Sequence, residues 1–328
     1  MITDVAWFLT GLILLIVGAE LVIRGGTRLG GRLGIRPIVI GLTVVSIGTS
    51  MPELAIGVVA AAEGTASLAV GNIAGTNVVN LLLILGLSAL IRPLSMQMRT
   101  LRLDLPMMSG AALLLWALAF RGTLTRLDGL ILLLCAIAYT AVLVHTSRLE
   151  SQQVAAEFSA EYADENADTP RRSAALPVVG HLSLLVGGIA IIVVGAEWLV
   201  NGAVGIARAF EVSDALIGLT IVAIGTSAPE LVTTVVSTVR GERDIALGNL
   251  LGSGVYNIAL VLGITCLAAP QAVQLEPALV RIDIPIMVVA TLVCVPIFIS
   301  GRRVARAEGG AMVAAYLAYL AFLLTTQT

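Results

Sequence analysis

Lysine is absent from this 328-residue chain: all 19 basic residues are arginine. Charge of either sign is scarce, with Asp, Glu, Lys and Arg together making up 12% of the residues against about 25% in an ordinary soluble domain. A net charge of −2 leaves no basic footprint for nucleic acid. The three cysteines, Cys135, Cys266 and Cys294, stand singly in apolar runs, which argues against a disulfide framework or a metal cluster and for packing roles. The two histidines, His145 and His181, lie near the ends of apolar runs without partner histidines, so interfacial hydrogen bonding is expected of them rather than a proton relay. There is no His-Glu-x-x-His segment, no pair of catalytic aspartates within the apolar runs, and no serine with a plausible histidine partner, so the chain is not expected to be an enzyme.

What the chain has is hydrophobic length. Hydrophobic residues make up 58% and mean hydropathy is +1.01. Apolar stretches fall at about 5–23, 37–62, 68–91, 103–120, 127–145, 176–200, 214–239, 245–268, 278–299 and 309–325. Each approaches or exceeds the ~20 residues that a helix needs to cross ~30 Å of hydrocarbon, and far exceeds the ~10 alternating residues of a barrel strand. Lipid offers no partners to unpaired backbone, so the expectation is an all-α polytopic membrane protein with ten transmembrane helices. Asp4 rather than a basic segment precedes the first run, which favours a first span over a cleaved signal peptide.

Sorting arginines by loop supports that count. Fifteen fall on one set of loops, and only Arg121, Arg126, Arg208 and Arg281 on the other. The positive-inside rule then places the first loop in the cytoplasm and both termini outside. The longest polar segment, residues 146–175, carries Glu150, Glu157, Glu161, Asp164, Glu165 and Asp168 and reads as an acidic, solvated cytoplasmic connector.

A search for self-similarity finds GLTVVSIGTSMPEL from Gly41 and GLTIVAIGTSAPEL from Gly218, 177 residues apart. From Ile40 to Gly86, 24 of 47 positions are identical to their counterparts without a gap. Gly18-Ala19-Glu20 pairs with Gly195-Ala196-Glu197 at the same offset. Five spans separate equivalent points, and five is odd, so the copies enter the membrane in opposite senses. The expected organisation is therefore two inverted-topology five-helix repeats, residues 1–145 and 176–328, joined by the acidic loop. Secondary transporters are built this way, with sites near the midplane where the halves meet.

Within those repeats, buried acids are the costly residues. A carboxylate at a helix centre costs about 2.5–3.5 kcal/mol even on lenient scales, so Glu53 and Glu230 must face a partner or a wet cavity. Each lies four residues after a threonine, Thr49 or Thr226, and therefore on the same helix face. Pro52 and Pro229 remove a backbone donor and free carbonyls near Gly48 and Gly225. Each motif thus offers a carboxylate, a hydroxyl and carbonyl oxygens, all hard ligands suited to Ca²⁺ or Na⁺ and not to soft metals. The next helix of each copy carries a polar stripe spaced by four, Asn72, Thr76 and Asn80, then Asn249, Ser253 and Asn257. The deeper four are read as ion ligands. Asn72 and Asn249 suit ligation and helix packing equally, since Gly71-x-x-x-Gly75 and Gly248-x-x-x-Gly252 flank them. Glu20 and Glu197, late in their spans, are read as structural or accessory acids that cap a helix or pair with an arginine.

The paired GTSxPE motifs, each followed by a GNxxG(S/T) helix, resemble the alpha repeats of the cation/calcium exchanger superfamily, most closely its prokaryotic sodium/calcium exchanger branch. The resemblance implies ten helices in two inverted halves around four clustered ion sites. It implies a ligand set of Thr49, Ser50, Glu53, Thr76 and Asn80 from the first repeat and Thr226, Ser227, Glu230, Ser253 and Asn257 from the second, assisted by the carbonyls of Ser46 and Ala223. It also implies antiport of about three Na⁺ against one Ca²⁺ by alternating access, with no cofactor and with these ions and the bilayer as partners, in a prokaryotic inner membrane. Asn257 stands where potassium-dependent relatives carry aspartate, which argues against potassium coupling. The absence of an acid in Ile73–Thr76 and Leu250–Ser253 departs from the proton-coupled branch. A Ca²⁺/H⁺ exchanger is the nearest alternative and a cation channel a more distant one. The glycine-rich stretch at Gly25, Gly26, Gly30, Gly31 and Gly34 marks the first helix, with the sixth, as a candidate sliding element.

Overall fold

The computed structural model describes residues 1–33, 37–96, 98, 100–161, 175–210 and 223–327. Helices dominate, in the order Ile2–Leu33, Ile38–Thr49, Met51–Ala62, Ala66–Ile91, Thr100–Ala119, Arg126–Glu161, Ala175–Ala209, Ala223–Thr226, Ala228–Arg240, Arg243–Ala268, Leu279–Gly301 and Arg306–Gln327. Large apolar side chains face outward along them, among them Ile13, Leu127 and Val179, as a lipid-facing surface requires. The chain is an integral membrane protein.

Among the described residues, fewer than the expected ten spans are found. Seven helices among the described residues are long and apolar enough to cross a membrane, and the bent pair Ile38–Thr49 and Met51–Ala62 makes an eighth when taken as one span. The expected span 214–239 is described only from residue 223, as Ala223–Thr226 and Ala228–Arg240. The last expected span lies within the 22-residue helix Arg306–Gln327. Residues 146–161, expected in the connecting loop, instead continue the preceding helix to Glu161; the rest of that loop up to 174 lies outside the described residues.

The first helix and Ala175–Ala209 form a separate antiparallel pair. Gly11, Gly18 and Gly25 recur every seventh residue, two helical turns, and so line one face; Gly188, Gly195 and Gly202 do the same on the partner. Backbones touch along this seam. A Cβ on Gly18 would lie 2.8 Å from the Gly188 carbonyl oxygen, and one on Gly202 would lie 2.6 Å from that of Asp4. With no hydrophobic drive between helices in lipid, such close approach supplies the van der Waals contact that joins them. The seam runs through Gly25 but not Gly26, whose Cβ would meet only side chains of other helices. Gly34 lies outside the described residues.

The other helices share a large core including Leu85, Leu105, Leu132, Leu262, Met287 and Phe298. The antiparallel pair packs against a smaller cluster of Leu15, Ala19, Val22, Leu185 and Ile192 with Ile40, Val45 and Ala228. Two short antiparallel sheets tie loops of one half to loops of the other: β1 (Leu94–Ser95) pairs with β4 (Arg303–Val304), and β2 (Thr123–Leu124) with β3 (Val273–Gln274).

Candidate cation site

Both copies of the Gly-Thr-Ser-x-Pro-Glu motif break their helix at the same place. Pro52 and Pro229 cannot donate to the carbonyls of Gly48 and Gly225. The serine between the half-helices leaves helical geometry almost identically, with φ −84° and ψ 7° at Ser50 and φ −87° and ψ 7° at Ser227. The first break bends the path by 42°. Each break brings a helix C-terminus, ending at Thr49 or Thr226, against a helix N-terminus carrying Glu53 or Glu230 in its first turn. The C-terminal carbonyls favour cations and the N-terminal amides favour the carboxylates, the arrangement of discontinuous helices that bind ions.

The two halves meet here crosswise. The helix Met51–Ala62 packs on the turn Asn257–Val261, and Ala228–Arg240 packs on the turn Val79–Ile84. Both are wide π turns, a local insertion that concentrates at functional positions. Asn80 lies at the second position of one, and Asn257 opens the other. Hydropathy carries no signal for such turns.

Nine of the ten predicted ligands are buried; Thr226 is half-buried. Direct contacts join four of them: Ser50 and Ser253 each donate to Glu230 Oε1 at 3.4 Å, and the Thr49 and Ser253 hydroxyls lie 3.5 Å apart. Around these, buried oxygen atoms lack hydrogen-bond partners among the described residues: both oxygens of Glu53, Oε2 of Glu230, Ser227 Oγ, and the carbonyl oxygens of the Asn80 and Asn257 amides. Thr76 is 2% exposed and lies one turn before Asn80 on the same helix. Two acids with neutral oxygens and no histidine or thiol make a donor set for hard cations. Among the described residues no cluster of three or more His, Cys, Asp or Glu occurs.

Asn249 takes the packing role of its two readings. Its Oδ1 accepts from Thr49 at 3.1 Å and its Nδ2 donates to Thr234 at 3.1 Å. The Ser46 carbonyl, implied by the resemblance as an assisting ligand, accepts from Ser50 N at 3.0 Å and Thr49 Oγ1 at 3.3 Å. The Ser46 hydroxyl faces the carbonyls of Gly41, Gly248 and Asn249 at 2.6, 3.1 and 3.1 Å, pinning two helices together. Glu20 pairs with arginines, as one of its readings has it. A further buried acid, Asp104, escaped the sequence reading; Tyr139 donates to it at 3.1 Å. The signal was present as a second repeated string, Arg102-Leu103-Asp104-Leu105-Pro106 and Arg281-Ile282-Asp283-Ile284-Pro285.

Broken helices meeting crosswise around buried acids define a membrane transporter of hard cations. The sequence model of the family "Sodium/calcium exchanger protein" matches this chain twice, over residues 3–145 and 180–325. Inner membrane protein YrbG of Escherichia coli is 35% identical over 89% of this chain and 88% of its own length. Sodium/calcium exchanger MaX1 of Methanosarcina acetivorans is 32% identical over 96% of this chain and 97% of its own. The solved structure of the sodium-calcium exchanger NCX_Mj superposes with a TM-score of 0.81 at 28% identity, covering 98% of this chain and 99% of that one. This chain belongs to the sodium/calcium exchanger protein family.

Proposed function

We propose that the protein exchanges Na⁺ for Ca²⁺ by alternating access around one shared site. The ligands are Thr49, Ser50, Glu53, Thr76, Asn80, Thr226, Ser227, Glu230, Ser253 and Asn257. One observation carries the reading: the carboxylates of Glu53 and Glu230 are 1% and 0% exposed, and three of their four oxygens have no protein partner among the described residues. A buried charge so placed is costly unless a cation neutralises it. Two acids match the charge of one Ca²⁺, and sharing them between ions makes Na⁺ and Ca²⁺ occupancy competitive. Relatives named as sodium/calcium exchangers support that choice of ions.

The architecture proposed is ten transmembrane helices in two inverted repeats, residues 1–145 and 176–328, with residues 146–175 between them. The double family match, the antiparallel glycine seam and the sheet pairing support it. In the β pairs, a strand after the third span of one half meets a strand after the fourth span of the other. Consecutive loops of an up-and-down helical chain lie on opposite faces, so this exchange is what inversion predicts. The arginine bias puts both termini outside, in a prokaryotic inner membrane. With three Na⁺ per Ca²⁺, each cycle moves one charge, worth ~2.3 kcal/mol per 100 mV.

The test is Ca²⁺ uptake into proteoliposomes loaded with Na⁺ and diluted into Na⁺-free medium, with protonophore present. Uptake should require internal Na⁺ and carry current. Uptake indifferent to Na⁺ but driven by a pH gradient would replace the reading with Ca²⁺/H⁺ exchange, and flux without any counter-ion would replace it with a channel.

A further inference from the structure

Glu20 lies near the arginine-rich end of the first helix and uses both carboxylate oxygens. Arg24 Nε meets Oε1 at 2.7 Å, and Arg240 Nη2 meets Oε2 at 3.0 Å. Arg24 is on the same helix, one turn on, and ties nothing across. Arg240 is different: it is the last residue of Ala228–Arg240, the helix whose first turn carries Glu230. The ion pair therefore joins the outer antiparallel helix pair to a helix of the cation site.

The repeat shows what the other end lacks. At the 177-residue offset Glu20 corresponds to Glu197, Arg24 to Asn201 and Arg240 to Glu63. An amide and a second acid stand where two guanidiniums stand at the first end, so these residues form no ion pair there. The surroundings differ in the same sense. Glu197 is exposed and, with Ala55, Asn201 and Thr226, borders a cavity of about 430 Å³ that reaches the second Gly-Thr-Ser-x-Pro-Glu motif. At the Glu20 end the corresponding threonine, Thr49, is 0% exposed.

We propose that the Arg240–Glu20 ion pair, supported by Arg24, is a one-sided latch that holds the arginine-rich end closed and biases the transporter toward opening at the Glu197 end. The proposal rests on the alternating-access reading above. The first helix cannot slide past Ala228–Arg240 without parting the pair, and the counterparts Glu197, Asn201 and Glu63 supply no such ion pair at the other end. Both arginines are 57% exposed, so the pair is screened by salt and moderate in strength. A bias of about two- to fivefold in the conformational equilibrium is expected.

The experiment reads that equilibrium directly. In a background with Cys135, Cys266 and Cys294 replaced by alanine, single cysteines go in at Ala55, which borders the cavity, and at its repeat counterpart Val232, which is packed at the closed end. Their labelling by a membrane-impermeant thiol reagent is timed in reconstituted protein. Glu20→Gln and Arg240→Gln should each speed labelling at Val232→Cys and slow it at Ala55→Cys, about two- to fivefold and less at high salt, and Arg240→Lys should stay near wild type. The Glu20→Gln/Arg240→Gln double variant should add little to either single change, because both remove one interaction. Unchanged labelling, equal effects of Arg240→Lys and Arg240→Gln, or additive effects in the double variant would overturn the latch. Labelling needs no transport: a shift in protein that does not exchange Na⁺ for Ca²⁺ would sink the ion assignment alone, whereas normal exchange with no shift would sink the latch alone.

Discussion

Ser50 and Ser227 leave their helices at nearly the same angles, each between a threonine and a glutamate, yet the two threonines live differently. Thr49 is fully buried and bonded to Asn249, while Thr226 is half-buried beside a cavity. Identical strings thus fix the local break and the ligand chemistry but not access from outside. Access is decided by residues beyond the motif: Ser46 stands where the second copy has Ala223, and Arg24 and Arg240 stand where the repeat has Asn201 and Glu63. A molecule with two like halves must be asymmetric at any moment to transport at all. Part of this asymmetry is written into side chains.

The largest expected effect comes from removing what the copies share. Glu53→Gln and Glu230→Gln each delete one of two buried charges around a divalent ion, a loss of about 3–5 kcal/mol and so more than about 100-fold in affinity. Ca²⁺-driven flux should vanish in both. If one variant keeps substantial Ca²⁺ exchange, the copies are not equal partners in binding, and the two-carboxylate reading gives way to a one-sided site.

Adding a charge sharpens the comparison next. Asn80 and Asn257 are repeat counterparts, both on π turns, both with amides lacking partners among the described residues. Asn80→Asp and Asn257→Asp should each shift the Na⁺ and Ca²⁺ concentrations for half-maximal exchange by about tenfold, the scale of 1.4 kcal/mol. Equal shifts support a central two-fold site. A shift in only one shows that the cation lies nearer one half.

A third effect tests the seam between the halves. Gly18→Val places a branched side chain where a Cβ would already lie 2.8 Å from the Gly188 carbonyl oxygen. Overpacking of this kind costs about 1–3 kcal/mol, read as a lower melting temperature and slower exchange. Gly187→Val, one residue from the seam and with nothing within 4 Å of an added Cβ, is the control and should leave both near wild type.

How far the sequence carries the argument depends on the distance over which each feature is encoded. The broken helix was legible because Pro52 and Glu53 adjoin Thr49, so the chemistry and its backbone cause sit within one helical turn. The doubling made it specific. Hydropathy delivered most helices within a few residues, but it extended the loop too far at 146–161, because a polar helix continuing out of the membrane has no apolar signature. The π turns at Asn80 and Asn257 were invisible, since a one-residue insertion barely alters periodicity. The Asn249 and Ser46 contacts and the Arg240 partner of Glu20 were hidden for another reason: each joins segments far apart in the chain, and nothing in either segment alone names the other.

Asn249 gives the smallest effect and the most discriminating one. Its amide bridges Thr49 and Thr234, two neutral hydrogen bonds inside the protein, each worth about 0.5–1.5 kcal/mol net. Its counterpart Asn72 is half-buried, and its Nδ2 has no partner among the described residues. Asn249→Ala should therefore lower thermal stability by several degrees, whereas Asn72→Ala should stay within about 0.5 kcal/mol of wild type. The ranking follows the closed end of the molecule, not the motif. If the protein spends comparable time with the other end closed, Asn72 accepts from Thr226 in that state and the two losses draw closer, but Gly57 stands where Thr234 does and offers no second hydroxyl. A gap between the two losses wider than that one missing hydrogen bond thus reports, by melting alone, uneven population of the two conformations.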